Sequence, residues 1–288
     1  MQPLPILHQN QMSSQHSATH MRILALRHDV MSEQMDWLAT EEPLEMRVQG
    51  PGQEMVRVAI TMRTPGHDAE LVVGFLYTEG LIQTRHEIVA IQADGPQYDQ
   101  APRNVVIVQL THPIDLMTIQ RNFYTTSSCG ICGKASLEQI AVHCSPVAHG
   151  PVVPRAVLVE LPTTLRHAQR LFEQTGGLHA CGLFDVTGRL VSLREDVGRH
   201  NAVDKLVGQM VLAGNTPLSE HILLVSGRTS HEIMQKAAMA QVPIVCAISA
   251  PSSLAVEVAR RFRMTLVGFL RDTHFNIYTH PERLALDN

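Results

Sequence analysis

No run of this 288-residue chain approaches the roughly 20 apolar residues that a helix needs to cross a bilayer. Charge of one sign is also lacking: 27 acidic against 23 basic side chains leave a formal charge of -4. That balance argues against nucleic acid or an anionic membrane as a partner, and leaves room only for a local basic pocket. The first 20 residues have neither a basic start nor a continuous apolar segment, so they lack the marks of a secretory signal. Residues 1–37 read as a disordered tail, rich in Gln, Ser and His at its beginning, and Met12 or Met21 is an alternative start. Cysteine is sparse and odd in number: Cys129, Cys132, Cys144, Cys181 and Cys246. A chain this long buries a core without covalent staples, so the expectation is free thiols in a reducing cytoplasm. There is no internal repeat.

Against that background stands Cys129-Gly130-Ile131-Cys132, set in Thr125-Thr126-Ser127-Ser128 and Gly133-Lys134-Ala135-Ser136. Small polar neighbours build little core, so these thiols are placed for chemistry rather than packing. A thiolate there suits a redox pair, half of a zinc site, or a carrier of sulfur. The setting in a loop, not at a helix start after a strand, weakens the thioredoxin reading. A zinc site would need two further ligands, with His143 and Cys144 at hand, but no second Cys-x-x-Cys or His-x₃-His is present.

The periodicities predict an α/β (α+β) chain of two parts. In residues 38–160, Leu44 to Met62 alternate around Gln49-Gly50-Pro51-Gly52 as a hairpin. Asp68 to Leu81 reads as a helix and Val105 to Leu110 as a strand. The Cys-x-x-Cys then falls in a long irregular loop at about 121–150. In residues 161–288 a helix is expected over Thr164–Gln174, closed by Gly176-Gly177. A hairpin follows around Thr187-Gly188, then a helix from about Asn201 to Leu212. Strands at Ile222–Ser226, Pro243–Ser249 and Thr265–Leu270 alternate with helices at Ser230–Gln241 and Ser252–Phe262, before a last strand at Asn276–His280. That alternation predicts a layered α/β domain with a mostly parallel sheet.

In such a sheet the strand-to-helix loops collect at one edge, where open α/β sheets bind ligands. The loops here are Glu195 to His200, Ser226-Gly227-Arg228-Thr229, and Ser249 to Ser253. Thr229-Ser230-His231-Glu232 has the spacing of a capping box. Helix-start N–H groups with Arg199, Arg228 and Arg271 nearby suit a phosphate. The plainer reading is that Ser and Thr there only cap helices. Thr175 to Cys181 partly matches the His-x-Glu start of a zinc nucleotide deaminase. Cys181 stands in the place of the glutamate and no Pro-Cys-x-x-Cys follows, so no metal site is expected.

Several segments in order resemble the FdhD family of formate dehydrogenase accessory sulfurtransferases. They are Glu41-Glu42-Pro43-Leu44, Thr64 to Asp68, Gly74 to Gly80, Cys129 to Gly133, Thr175 to His179, Glu195 to Lys205, and Ser252 to Glu257. The closing Thr265 to Phe269 and Tyr278-Thr279-His280 fit as well, so the likeness runs from about residue 38 to 283. The resemblance implies a C-terminal domain of cytidine-deaminase-like fold without its zinc. It also implies a sulfur carrier that takes sulfur from a cysteine desulfurase as a persulfide on Cys129, with Cys132 beside it. The sulfur would pass to the molybdenum bis(molybdopterin guanine dinucleotide) cofactor, activating the catalytic subunit of formate dehydrogenase. The family's cofactor-binding segment aligns with Phe269, Leu270, Arg271, Asp272, Thr273 and His274, although this chain lacks a Gly and a second basic residue expected there. Together with Gly198, Arg199, Ser226, Gly227, Arg228, Ser249 and Ser252 these residues form the expected nucleotide site, with GDP as a mimic. A cofactor with two guanine nucleotides suggests a homodimer. The alternative is a zinc- or redox-regulated nucleotide-binding module without catalysis.

Overall fold

The computed structural model describes residues 6–7, 17–93, 104–114, 144–148 and 150–286. Cys129, Cys132 and most of the long loop lie outside the described residues. Five strands make the first sheet: β1 (Ile6–Leu7), β4 (Glu42–Gln49), β5 (Val56–Arg63), β6 (Ile88–Ala93) and β7 (Val105–Leu110), in the order β1-β6-β7-β4-β5. The hairpin read from residues 44–62 is β4–β5, antiparallel as its turn requires. Helix α1 (Asp68–Thr78) lies on this sheet with Leu71, Val72, Val73 and Leu76 fully buried.

Residues 18–39 differ from the disordered tail expected over 1–37. They form a ribbon of two ten-residue strands, β2 (Ala18–Arg27) and β3 (Val30–Ala39), paired only with each other. His28 and Asp29 between them have φ of 47° and 64°. Two left-handed residues make the turn that matches strand twist, and Asp tolerates that region. The ribbon is legible only as a pairing, because its apolar residues meet no core.

The chain enters the second lobe at β8 (Val153–Pro154), which pairs with the C-terminal β15 (Leu284–Ala285), a little before residue 161. Helix α2 (Arg155–Ala168) starts nine residues before the expected Thr164, and α3 (Arg170–Thr175) follows after a break at Gln169. Pro162 conceals this helix in the sequence. An interior proline costs about 3 kcal/mol or more. Leu158, Leu161 and Leu165 are fully buried around it, and three such side chains at about 1.5–3 kcal/mol each outweigh the loss.

The second sheet contains β9 (His179–Phe184), β10 (Leu190–Asp196), β11 (Ile222–Val225), β12 (Ile244–Ala247), β13 (Thr265–Arg271) and β14 (His274–Thr279), in the order β10-β9-β11-β12-β13-β14. It is mixed, not mostly parallel. Only β11–β12 and β12–β13 pair in parallel, while hairpin turns at Thr187-Gly188 and Asp272-Thr273 make β9–β10 and β13–β14 antiparallel. A two-residue turn cannot join parallel neighbours. Even so, β10 and β11 both run antiparallel to β9, so β10, β11, β12 and β13 share one direction. Their carboxyl ends meet at one edge. Helix α2 covers one face of the sheet through Leu158, Phe184, Leu224 and Val267. Helices α4 (Arg199–Ala213), α5 (His231–Met239) and α6 (Ser253–Arg261) cover the other.

One core runs through both lobes, with α1 and α4 back to back at its centre. Gly74 and Gly208 mark the crossing. A Cβ on Gly74 would sit 1.8 Å from the Asp204 carbonyl oxygen, and one on Gly208 would sit 1.8 Å from that of Glu70. Only glycine fits where the two backbones touch.

Candidate functional site

The stretch Asp196 to Lys205 begins the site and also locks the lobes together. Asp196, fully buried, is met by four donors: Gly198 N at 2.8 Å, Asn201 Nδ2 at 3.1 Å, Thr64 N at 3.2 Å and Lys205 Nζ at 2.6 Å. Lys205 also donates to the Thr64 carbonyl (2.7 Å) and Asn201 to that of Met62 (2.7 Å). A second buried cluster lies one turn on. Lys236 reaches Asp204 at 3.0 Å and Glu79 at 3.3 Å, and Thr78 donates to Asp204 at 2.8 Å. Burial opposes the charge on Lys236, but the two carboxylates outweigh it and hold its pKa above the usual value. These residues weld β5 and α1 to α4; they are occupied with one another.

The edge beyond the strand ends is built differently. A cleft of about 380 Å³ opens there, lined by Arg199, Arg228, Thr229, Ser230, Ala250, Pro251 and Ser252. The loops after β11 and β12 are clamped side by side by Thr229 N to Ala250 O (3.2 Å) and Ser252 N to Thr229 O (2.9 Å). Thr229 is 1% exposed, and its Oγ1 has no hydrogen-bond partner. A buried hydroxyl without a partner costs about 1–3 kcal/mol, and this one adjoins the cleft.

The capping box expected at Thr229–Glu232 does not form. Ser230 is the N-cap of α5, and its side chain makes no capping bond to the helix backbone. Its Oγ instead donates to Glu232 Oε2 (3.1 Å) and lies 3.2 Å from His200 Nε2. His200 Nε2 is 2.9 Å from the same carboxylate. That contact holds the Glu232 carboxyl down at about 2, against a smaller opposing effect of burial. Gly198, the N-cap of α4, has no side chain to offer. Of the three helices that start at this edge, α6 alone is capped by its own side chain, with Ser252 Oγ accepting from Ala255 N at 3.2 Å. Two helix starts therefore present free N–H groups to the cleft, beside Arg199 and Arg228. Burial lowers the pKa of neighbouring His179, and the positive charges of Arg199 and His200 lower it further.

The expected nucleotide residues thus separate. Arg199, Arg228 and Ser252 line the cleft. Gly198 starts α4 at its side, and Gly227 lies against His179, where an added Cβ would be 3.2 Å from Nδ1. Ser226 is spent on the sheet, its Oγ accepting from Ala180 N at 2.8 Å. Ser249 O accepts from Phe269 N at 3.1 Å, which sets the segment Phe269 to His274 next to the cleft rather than in its lining. There Leu270 is fully buried in the core, and Arg271 Nε donates to the Ile248 carbonyl at 3.1 Å. Asp272, Thr273 and His274 are exposed at the hairpin turn. Thr229 and Ser230 were missed because the reading as caps absorbed them. The signal was present: a hydroxyl pair directly after an arginine at a strand end.

The described cysteines carry no reactive thiolate. Burial raises Cys144 to about 11 and Cys246 to about 12, and raises Cys181 as well. Among the described residues no group of three or more His, Cys, Asp or Glu is disposed to hold a metal. No helix among them is long and apolar enough to cross a membrane.

Comparison with known proteins places these features in a family. The model of the FdhD/NarQ family matches residues 39–285, so β2 and nearly all of β3 lie outside the match. A protein of Streptomyces coelicolor named "Sulfur carrier protein FdhD" is 46% identical over 273 residues, covering 92% of this chain and 95% of its own. Its namesake in Sulfurisphaera tokodaii is 43% identical, covering 91% of this chain and 97% of its own. A crystal structure from Desulfotalea psychrophila, described as a proposed formate dehydrogenase accessory protein, superposes with a TM-score of 0.71 at 26% identity. That match covers 93% of this chain and 99% of the other.

Proposed function

The chain belongs to the FdhD/NarQ family, and we propose that it is a sulfur carrier that works through Cys129 and delivers to a guanine-nucleotide cofactor held in the cleft. The observation that carries the reading is the state of the other thiols. Cys144, Cys181 and Cys246 are buried with their thiolates disfavoured, which leaves sulfur chemistry to Cys129 and Cys132.

The Cys129 thiolate attacks the outer sulfur of a persulfide on a cysteine desulfurase. The desulfurase leaves as its thiolate, and Cys129 carries the sulfane sulfur. Delivery to the molybdenum bis(molybdopterin guanine dinucleotide) substrate follows when the Cys132 thiolate attacks the inner sulfur of the persulfide. Hydrosulfide departs, and a Cys129–Cys132 disulfide remains for a cellular dithiol to reduce. The clients are formate dehydrogenase catalytic subunits, and the work is done in the cytoplasm.

Chain length permits the transfer. Cys129 stands midway between Ile114 and Cys144, about 15 residues from each. Ile114 is held by Gln53 (Oε1 to N 2.7 Å, Nε2 to O 3.0 Å). On the other side Gln241 Nε2 donates to Ser145 O (2.9 Å) and Val147 N to Phe262 O (2.9 Å), at the C-terminal ends of α5 and α6. About 15 extended residues span roughly 50 Å. The cleft is one short helix away, about 14 Å for nine residues.

In the cleft, the phosphates of a guanine nucleotide meet the starts of α4 and α5, the Thr229 hydroxyl, Arg199 and Arg228, with Phe269 to His274 along one side. Two nucleotides per cofactor match a two-fold dimer with one cleft per subunit.

The test is mass spectrometry of the protein after mixing with a cysteine desulfurase and cysteine. One added sulfur on the Cys129 peptide is expected, and Cys129→Ala should lose it together with all activation of formate dehydrogenase. Full activation by Cys129→Ala would overturn the assignment.

A further inference from the structure

The β2–β3 ribbon contributes no residue to the lining of the cleft, and most of it falls outside the span that the family model matches. Residues opposite one another in its register share a face. One face therefore carries Leu24, Leu26, Met31, Met35 and Trp37, exposed by 70, 66, 73, 51 and 39%. At its root His20 stacks on Trp37 with ring centres 4.4 Å apart. A lone two-stranded ribbon is marginal in water, and a bare apolar face makes it more so. Among the described residues, only α3 packs substantially on the ribbon, and it does so on β3.

We propose that this ribbon is an arm that packs on a second copy of the chain, against the outer face of its β4–β5 hairpin. The proposal rests on the dimer put forward above and names the surface that makes it. Three observations select a second copy. First, the arm face is neutral, with one ion pair, Arg22 to Glu33 at 3.2 Å. The outer face of β4–β5 is similarly apolar: Ile60 and Met62, exposed by 57 and 47%, flank the pair Arg47–Glu45 at 2.8 Å, with the exposed Arg57 opposite Arg47. Arg22 can meet Glu45 of the second copy, and Glu33 its Arg47. Second, the arm joins β4 through Thr40 and Glu41 alone, so its root stands beside that same sheet. A two-fold axis near the root lays each arm on the other sheet. Third, the area is sufficient only if the exchange is reciprocal. Ten residues at about 3.4 Å and two strands about 4.8 Å apart give a face of roughly 300 Å². Two arms on two sheets remove about 1,200 Å² from water, the lower bound of a specific interface, whereas arm on arm removes half of that.

Sedimentation equilibrium of the full chain under reducing conditions tests this. The wild type should dimerise at micromolar concentration. Leu26→Asp/Met31→Asp, and separately Ile60→Asp, should weaken the dimer at least a hundredfold. Trp37 is the only tryptophan and lies on the arm face, so its emission should shift to the red as the wild type is diluted through dissociation, which needs no variant at all. A dimer of unchanged strength in both variants, or Trp37 emission indifferent to dilution, would overturn the arm and leave the dimer standing. A wild type that is monomeric throughout would overturn both and leave the ribbon to a different protein.

Discussion

Asp196 and Thr229 are both buried polar side chains close to the start of α4, and the protein treats them in opposite ways. Asp196, at the lobe junction, has four donors on its two oxygens, one of them the Lys205 ammonium at 2.6 Å. Thr229, at the cleft, is just as buried and its hydroxyl has no partner. Groups that answer one another hold the lobes together at Asp196, whereas the Thr229 hydroxyl, beside the cleft, is left for the nucleotide in the function proposed above.

The largest expected effect breaks the junction side. Lys205→Met leaves the Asp196 carboxylate buried without its ammonium and should cost about 3–5 kcal/mol, read from the urea unfolding midpoint. A loss under about 1 kcal/mol would mean that the pair is dispensable and the contrast with the rim false. On the rim, Arg228 is exposed, so Arg228→Ala should leave the unfolding midpoint unchanged while GDP affinity falls ten- to a hundredfold, about 1.4–2.8 kcal/mol. Calorimetric titration beside Arg271→Ala decides it: unchanged binding in both variants moves the nucleotide elsewhere.

Thr229→Val sharpens the comparison most. Removing an unpaired hydroxyl should cost the free protein nothing, yet weaken GDP binding by about two- to tenfold, on the order of 0.5–1.5 kcal/mol. Lower stability with unaltered binding would show that the hydroxyl is satisfied within the protein. The smallest effect concerns Glu232, whose carboxyl lies at about 2 in the folded protein against an ordinary 4.5. A depressed value stabilises above the unfolded pKa, so the contribution is present above pH 4.5 and is lost as pH falls toward 2. Because the side chain is about half exposed, screening reduces it to a few tenths of a kcal/mol. Glu232→Gln should lower stability by that amount at pH 7, with the difference from the wild type vanishing as the pH falls toward 2.

Sequence periodicity reveals the elements that bury one face, and hides those whose partners are remote. The β4–β5 hairpin shows in the alternation around Gly50-Pro51-Gly52, and β11, β12 and β13 show as apolar runs between helices. Arg199, Arg228 and Ser252 could be placed because strand-to-helix loops of strands that run the same way share an edge. The unpaired state of Thr229 was hidden by a shift of one residue in the helix start, which made its hydroxyl an apparent cap. The Lys205–Asp196 and Lys236–Asp204 pairs also tie together segments more than a hundred residues upstream, Thr64 and Thr78, and no local pattern names such partners. Nothing in the sequence sets Ala18 to Ala39 apart as a ribbon, since its apolar residues face outward.

The glycine crossing of α1 and α4 bears on how the protein is made. About 120 residues separate Thr78 from Arg199, so α1 is complete long before its partner helix exists. At about 5–20 residues per second, a ribosome takes roughly 6–24 s to supply that partner. Through that interval the flank of α1 around Gly74 is bare, with Leu71, Val72, Val73 and Leu76 close by. Until α4 has emerged, α1 lacks the helix that covers this flank in the folded protein, and the one core that runs through both lobes stays incomplete.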